Sequence, residues 1–171
     1  MKKSFLILML MLVSAVVMNA QSLTGKQWVT KLGAEDGIDV IVALAFDNDG
    51  TCEMLVATEY EMKEDGVPIT LTGSVSVPGT FTLKDKDLTM NLDRKQAEVD
   101  LDYEIKGMDA KTKELMDKQI RDEINGLKGD FKKEMLDGMP KMHNMKIVSL
   151  ESKKLVLKDD AGDEIPFVVM E

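Results

Sequence analysis

Apolar and polar residues alternate with a period of two through most of this chain, and that period dictates strands over helices. From Ile38 to Phe46, the residues Ile38, Val40, Val42, Leu44 and Phe46 share one face. Asp47-Asn48-Asp49-Gly50 follows as a hairpin turn, with Gly supplying a positive φ. Cys52, Met54, Val56, Thr58 and Tyr60 then alternate with Glu53, Leu55, Ala57 and Glu59. A turn at Glu64-Asp65-Gly66 leads to Ile69, Leu71, Gly73, Val75 and Val77 on one face, a run that Pro78-Gly79 is expected to break. Phe81 and Leu83, then Leu88, Met90 and Leu92, form a further hairpin around Lys84-Asp85-Lys86-Asp87. The cleanest alternation places Ala97, Val99, Leu101, Tyr103 and Ile105 inward and Glu98, Asp100, Asp102 and Glu104 outward.

The period changes after Gly107. Asp109 is a helix N-cap residue type, and Met116, Ile120, Ile124, Leu127, Phe131 and Met135 recur every three or four residues. Gly126 and Gly129 are expected to divide this stripe into two helices, and Gly138 with Pro140 to end it. Strand patterning returns at Met145 to Leu150, Leu155 to Leu157 and Ile165 to Val169. Short strands joined by tight turns favour a meander that closes on itself and so leaves no free edge. The expected fold is mainly β, an antiparallel up-and-down barrel spanning 21–171 with an α-helical insertion at about 107–143.

The first twenty residues read differently. Lys2 and Lys3 precede an uncharged, largely apolar stretch from Ser4 to Val17, followed by Ala20 before Gln21-Ser22. This order reads as a cleavable signal peptide at 1–20, with Ala15 as a second cut. The stretch is shorter than the roughly 20 residues a membrane span needs. No cysteine stands near the cut, so the expectation is an exported protein, periplasmic or secreted, without a lipid anchor. Cys52 is the single cysteine, which removes any intramolecular disulfide. The net charge of −9 becomes −11 once Lys2 and Lys3 leave with the leader. That excess argues against nucleic acid and anionic lipid as partners, since phosphate recognition requires Lys and Arg. No later apolar run is long enough to span a bilayer, so the chain does not read as an integral membrane protein.

Leu23-Thr24-Gly25-Lys26-Gln27-Trp28 resembles the opening of lipocalin-like domains, in which a Gly and a Trp close one end of a barrel. Here two residues separate Gly25 from Trp28, where the lipocalin motif has one. Gly79-Thr80-Phe81 through Asp87-Leu88 is similar to a hairpin of small exported bacterial lipocalin-like proteins, and Ile147 to Leu157 fits the closing strands. The resemblance implies a lipocalin-like barrel; the helical insertion is not part of its usual plan. The Leu-x-Gly-x-x-Trp opening also resembles small exported heat-shock-associated β domains. Both imply an all-β domain.

Candidate chemistry is sparse. His143 is the only histidine, and no nucleophile elbow or phosphate loop occurs. Cys52 falls on an inward strand face, as an inert core thiol would. Asp47-Asn48-Asp49-Gly50 has the look of a calcium loop, but Thr58 stands where a bidentate Glu is required. Met135, Met139, Met142, His143 and Met145 could hold a soft ion such as Cu(I). Methionines recur across the chain, however, and as often fill irregular cores. The reading is therefore non-enzymatic, with no cofactor and no metal: a protein that binds a small apolar or amphipathic molecule in or at the mouth of the barrel. Val42, Leu44, Phe46, Met54, Val56 and Tyr60 would line the site, with the Tyr60 hydroxyl orienting the ligand. The alternatives are an envelope interaction module with a filled core, contacting a protein partner through the helical insertion or the acidic face, and copper binding through the Met-rich segment.

Overall fold

A computed structural model describes residues 23–33, 39–64, 67–105 and 110–170. The expected signal peptide and its cut, the expected turn at Asp65-Gly66 and the expected Asp109 cap lie outside the described residues. Nine strands and one long helix follow in order: β1 (Gln27–Gly33), β2 (Asp39–Phe46), β3 (Thr51–Glu64), β4 (Val67–Lys84), β5 (Asp87–Leu92), β6 (Glu98–Ile105), α1 (Ala110–Gly138), β7 (Asn144–Leu150), β8 (Lys154–Lys158) and β9 (Glu164–Val169). Every strand pair is antiparallel. Strands consecutive in the chain pair around the molecule except at β6, where β5 pairs β7 directly, and β9 returns to β1 through Trp28 opposite Val169 and Val29 opposite Val168. The result is the expected mainly β architecture: a closed eight-stranded up-and-down barrel with one helix outside it.

Strand β6 is the ninth strand: among the described strands it pairs β4 alone, continuing the wall beside β4 without taking part in its closure. β5 and β6 sit end to end along β4, which pairs β5 through Gly79–Lys84 and β6 through Ile69–Ser76. A 3₁₀ turn at Arg94–Gln96 separates them, with Asp93 accepting from the Lys95 N–H at 3.1 Å. β2 stops pairing β3 at Thr58, whereas β3 and β4 stay paired out to Glu64 and Val67. The far parts of β3, β4 and β6 thus form a three-stranded platform projecting from one end of the barrel.

The expected break at Pro78-Gly79 does not occur: β4 runs through it without interruption. Pro78 sits where β4 changes neighbours from β6 to β5. Its carbonyl accepts the Asp93 N–H at 2.8 Å, so its missing N–H also faces the gap left by the 3₁₀ turn, where no ladder bond is due. At Gly79 a Cβ would stand 2.5 Å from the Asn91 carbonyl oxygen, so the close approach of β5 requires glycine. The insertion is likewise one helix, not two. Neither Gly126 nor Gly129 has the positive φ that ends a helix, and interior glycine weakens a helix by only about 1 kcal/mol.

The interior is built from the inward rows of all eight strands. Trp28, Val42, Leu44, Met54, Val75, Val77, Leu88, Leu155, Leu157 and Phe167 are fully buried. The acidic row of β6 is exposed, as its alternation requires.

Candidate functional site

The two ends of the barrel are closed by different means. At the first, Leu23 is fully buried and its carbonyl accepts the Trp28 Nε1–H at 2.9 Å. Gly25, at φ 69°, turns the chain so that its N–H reaches the Phe46 carbonyl at 2.9 Å. Thr24 Oγ1 donates to Asn48 Oδ1 at 2.6 Å, and Phe46 meets Phe81 edge to face at 5.0 Å. This end is sealed by short, local contacts.

The opposite end is covered by α1. Its 29 residues span about 43 Å and return the chain from the tip of the platform to β7. Its last turns enter the barrel core: Phe131, Met135 and Leu136 pack against it, and Met139 and Met142, at the helix end and just beyond, are buried in it. The helix lies chiefly against β6 and, less extensively, β4. Lys132 Nζ donates to the Ala97 carbonyl at the start of β6.

Register arranges the inner wall in successive rings. Thr30, Val42, Val56, Val75 and Val99 lie opposite one another across β1, β2, β3, β4 and β6. One step nearer the helix-covered end, the ring is Leu32, Val40, Thr58, Gly73 and Leu101. In the deeper ring Val42, Val56 and Val75 are buried; in the mouth ring Leu32, Val40, Thr58 and Leu101 are only half-buried. Thr58 is the single polar side chain of the mouth ring. Its Oγ1 is sealed from solvent and has no hydrogen-bond partner among the described residues, a state that costs roughly 1–3 kcal/mol. Beside it, a Cβ on Gly73 would run into the ring of Phe131, which descends from α1 onto the bare backbone.

Of the candidate site residues, Val42, Leu44, Phe46, Met54 and Val56 do share the barrel interior. Water reaches none of Val42, Leu44 or Met54, so these side chains are packed against one another and leave no room of a water's size at their surfaces. Tyr60 is placed differently from the expectation: it is 50% exposed. The inward alternation of β3 continues to Tyr60, which lies past Thr58, the last β3 residue paired with β2 among the described residues, and half of its surface is open to solvent. Thr58, Gly73 and Phe131 were visible as members of their periodic rows. Nothing in the linear sequence marked that Phe131 stands on Gly73, the pairing partner of Thr58.

The Met-rich segment is largely taken up by the core. Met139, Met142 and Met145 are buried within it, and Met135 packs against it. His143 is exposed, and its Nδ1 donates to the Met90 carbonyl at 2.6 Å. Cys52 is buried, and desolvation pushes its thiol up to about 11, so it stays protonated at neutral pH. A surface cleft of about 540 Å³ beside β7 is lined by Asp87, Thr89, Lys146, Lys158 and Asp160 among others, a mixed-sign surface without a convergent polar set. Among the described residues, no three His, Cys, Asp or Glu side chains are grouped as metal ligands, and no helix is long and apolar enough to cross a membrane. No protein-family model matches the chain, and no curated protein matches it.

Proposed function

We propose that this is an exported, non-enzymatic protein that binds a small apolar or amphipathic molecule at the helix-covered mouth of its barrel. A closed barrel is compatible with such a role, since barrels of eight strands either hold one small ligand or are filled by their own side chains. The observation that carries the reading is the change between neighbouring rings. On β1 to β4, packing is complete at Val42, Val56 and Val75 and incomplete at Leu32 and Val40, while Val99 and Leu101 on β6 are both half-buried. An apolar wall half open to solvent, with one polar group among its side chains, is how small-molecule sites are commonly built. The filled interior moves the site outward from the deeper residues Leu44, Phe46 and Met54. The leader sequence supports export of the chain from Gln21 onward.

Titration of the mature chain with neutral N-phenyl-1-naphthylamine tests this reading. Saturable one-to-one fluorescence enhancement, abolished by Val40→Trp at the mouth, is the expected result. An unsaturable response, or one untouched by Val40→Trp, would remove the mouth as a site.

A second reading is favoured by one feature. Among the described strands β6 has a single neighbour, β4, and its outer row is Glu98, Asp100, Asp102 and Glu104. An extended basic segment of a partner protein would pair with that edge through its backbone and with that row through charge. In this reading the filled barrel is a rigid support for the platform.

A further inference from the structure

We propose that Phe131 is an internal occupant of the mouth site, and that the molecule it gives way to is ring-sized and carries one hydroxyl or carbonyl group that bonds Thr58. This rests on the reading of the mouth as a binding site and adds to it the ligand's chemistry and the means of entry.

Three independent observations converge on the same spot. Gly73 is the only member of the mouth ring without a side chain, and the Phe131 ring stands in the space a side chain there would fill. Thr58 is the direct β3 partner of Gly73, and its Oγ1 is sealed without a hydrogen-bond partner among the described residues. A phenyl ring offers that hydroxyl nothing, whereas a ligand hydroxyl or carbonyl would satisfy it. The helix that carries Phe131 also contains Gly126 and Gly129, and a Cβ at either would meet nothing within 4 Å. Packing therefore does not demand glycine at these positions, and their effect is to loosen the turns just ahead of Phe131.

The ring beneath sets the size of the ligand. Val42 and Val75 are fully closed to solvent, and Val56 nearly so, which bars a long alkyl chain from passing down between β2, β3 and β4. A molecule that takes the place of Phe131 lies one ring deep, with its polar group at the level of Thr58. The cover swings aside and the occupant is exchanged, a minor open state made dominant by the incoming molecule.

Fluorescence titrations of the mature protein with 2-naphthol and with naphthalene test this. A plug seated in about nine molecules of ten lowers apparent affinity about tenfold, so Phe131→Ala should strengthen binding of both probes by about that factor. Thr58→Val in the Phe131→Ala background should then weaken 2-naphthol about fivefold, the worth of one hydrogen bond, and leave naphthalene unchanged. Phe131→Leu carries the same comparison where the alanine variant does not fold. No gain on truncating Phe131, or equal effects of Thr58→Val on the two probes, would overturn the proposal. N-phenyl-1-naphthylamine binding by the parent that is indifferent to Phe131 would retain the mouth and reject the plug. No binding of any probe by any variant would reject both.

Discussion

Asp49 shows how much a single exposed side chain contributes to the turn between β2 and β3. Its Oδ1 accepts from the Thr51 hydroxyl at 2.6 Å and from the Thr51 backbone N–H at 2.9 Å. These bonds, the hydroxyl first and the backbone second, hold its carboxyl below the usual carboxylate range. A group with a lowered folded-state value stabilises the fold above its unfolded value of about 3.9, and loses that contribution as pH falls through the folded value. Asp49→Asn keeps the oxygen acceptor and removes the charge. The variant should be less stable than the parent at pH 7, and the gap should narrow toward pH 2, as urea melts at the two pH values would report. A gap of constant size would mean the charge is irrelevant. At this scale the sequence was legible where a residue acts within its own strand or turn: Asp47 to Gly50, the inward Cys52, the outward acids of β6. It was not legible where the deciding neighbour comes from elsewhere. Pro78 is tolerated because β5 and β6 part opposite it, and Tyr60 is half exposed although it continues the inward row of β3. Neither outcome leaves a mark on the residue concerned.

Among the elements, α1 is the one whose sequence and packing disagree. Its stripe of Ile124, Phe131 and Met135 was readable from the period, and so was the helical character of the insertion. The continuity of the helix was not, because glycine in a helix interior costs little and breaks the helix only when it adopts a positive φ. The open space around Gly126 and Gly129 allows a direct test of what that weakness does. Gly126→Ala with Gly129→Ala should raise stability by roughly 1 kcal/mol per site, partly through the unfolded chain. If the helix must loosen for a ligand to enter, the same pair should slow uptake of N-phenyl-1-naphthylamine in stopped-flow traces. Stabilisation with unchanged uptake would make α1 a fixed cover. The platform strands show a related economy. Asp102 takes the Tyr103 N–H with its own carboxylate at 2.9 Å, so a backbone donor of β6 is occupied without a further strand.

Across the whole molecule, the barrel is graded along its axis. The Leu23 end is locked by the Trp28 to Leu23 bond, the Gly25 turn and the Phe46–Phe81 contact. The α1 end rests on half-buried Leu32, Val40 and Leu101, with a polar atom left unsatisfied. Closure by β1 and β9 gives both ends the same backbone frame, so the gradient lies in the side chains. Truncation should reveal it. Phe46 is 1% exposed and packs edge to face on Phe81, so Phe46→Ala should cost roughly 3–5 kcal/mol, the loss of a full core aromatic. Leu32 has solvent on one side and contacts the core on the other, so Leu32→Ala should cost only about 1–2 kcal/mol, near its transfer term with little cavity penalty. Urea unfolding of the two variants measures both. The parent must also show that this difference has a use: saturation with N-phenyl-1-naphthylamine should raise the midpoint of the parent and of Phe46→Ala alike, because the probe sits away from Phe46, and should raise that of Leu32→Ala differently, because its wall has changed. Equal losses at Leu32 and Phe46, with no midpoint shift in any of them, would mean the mouth is as full as the centre, and the platform edge would then be the place to look for a partner.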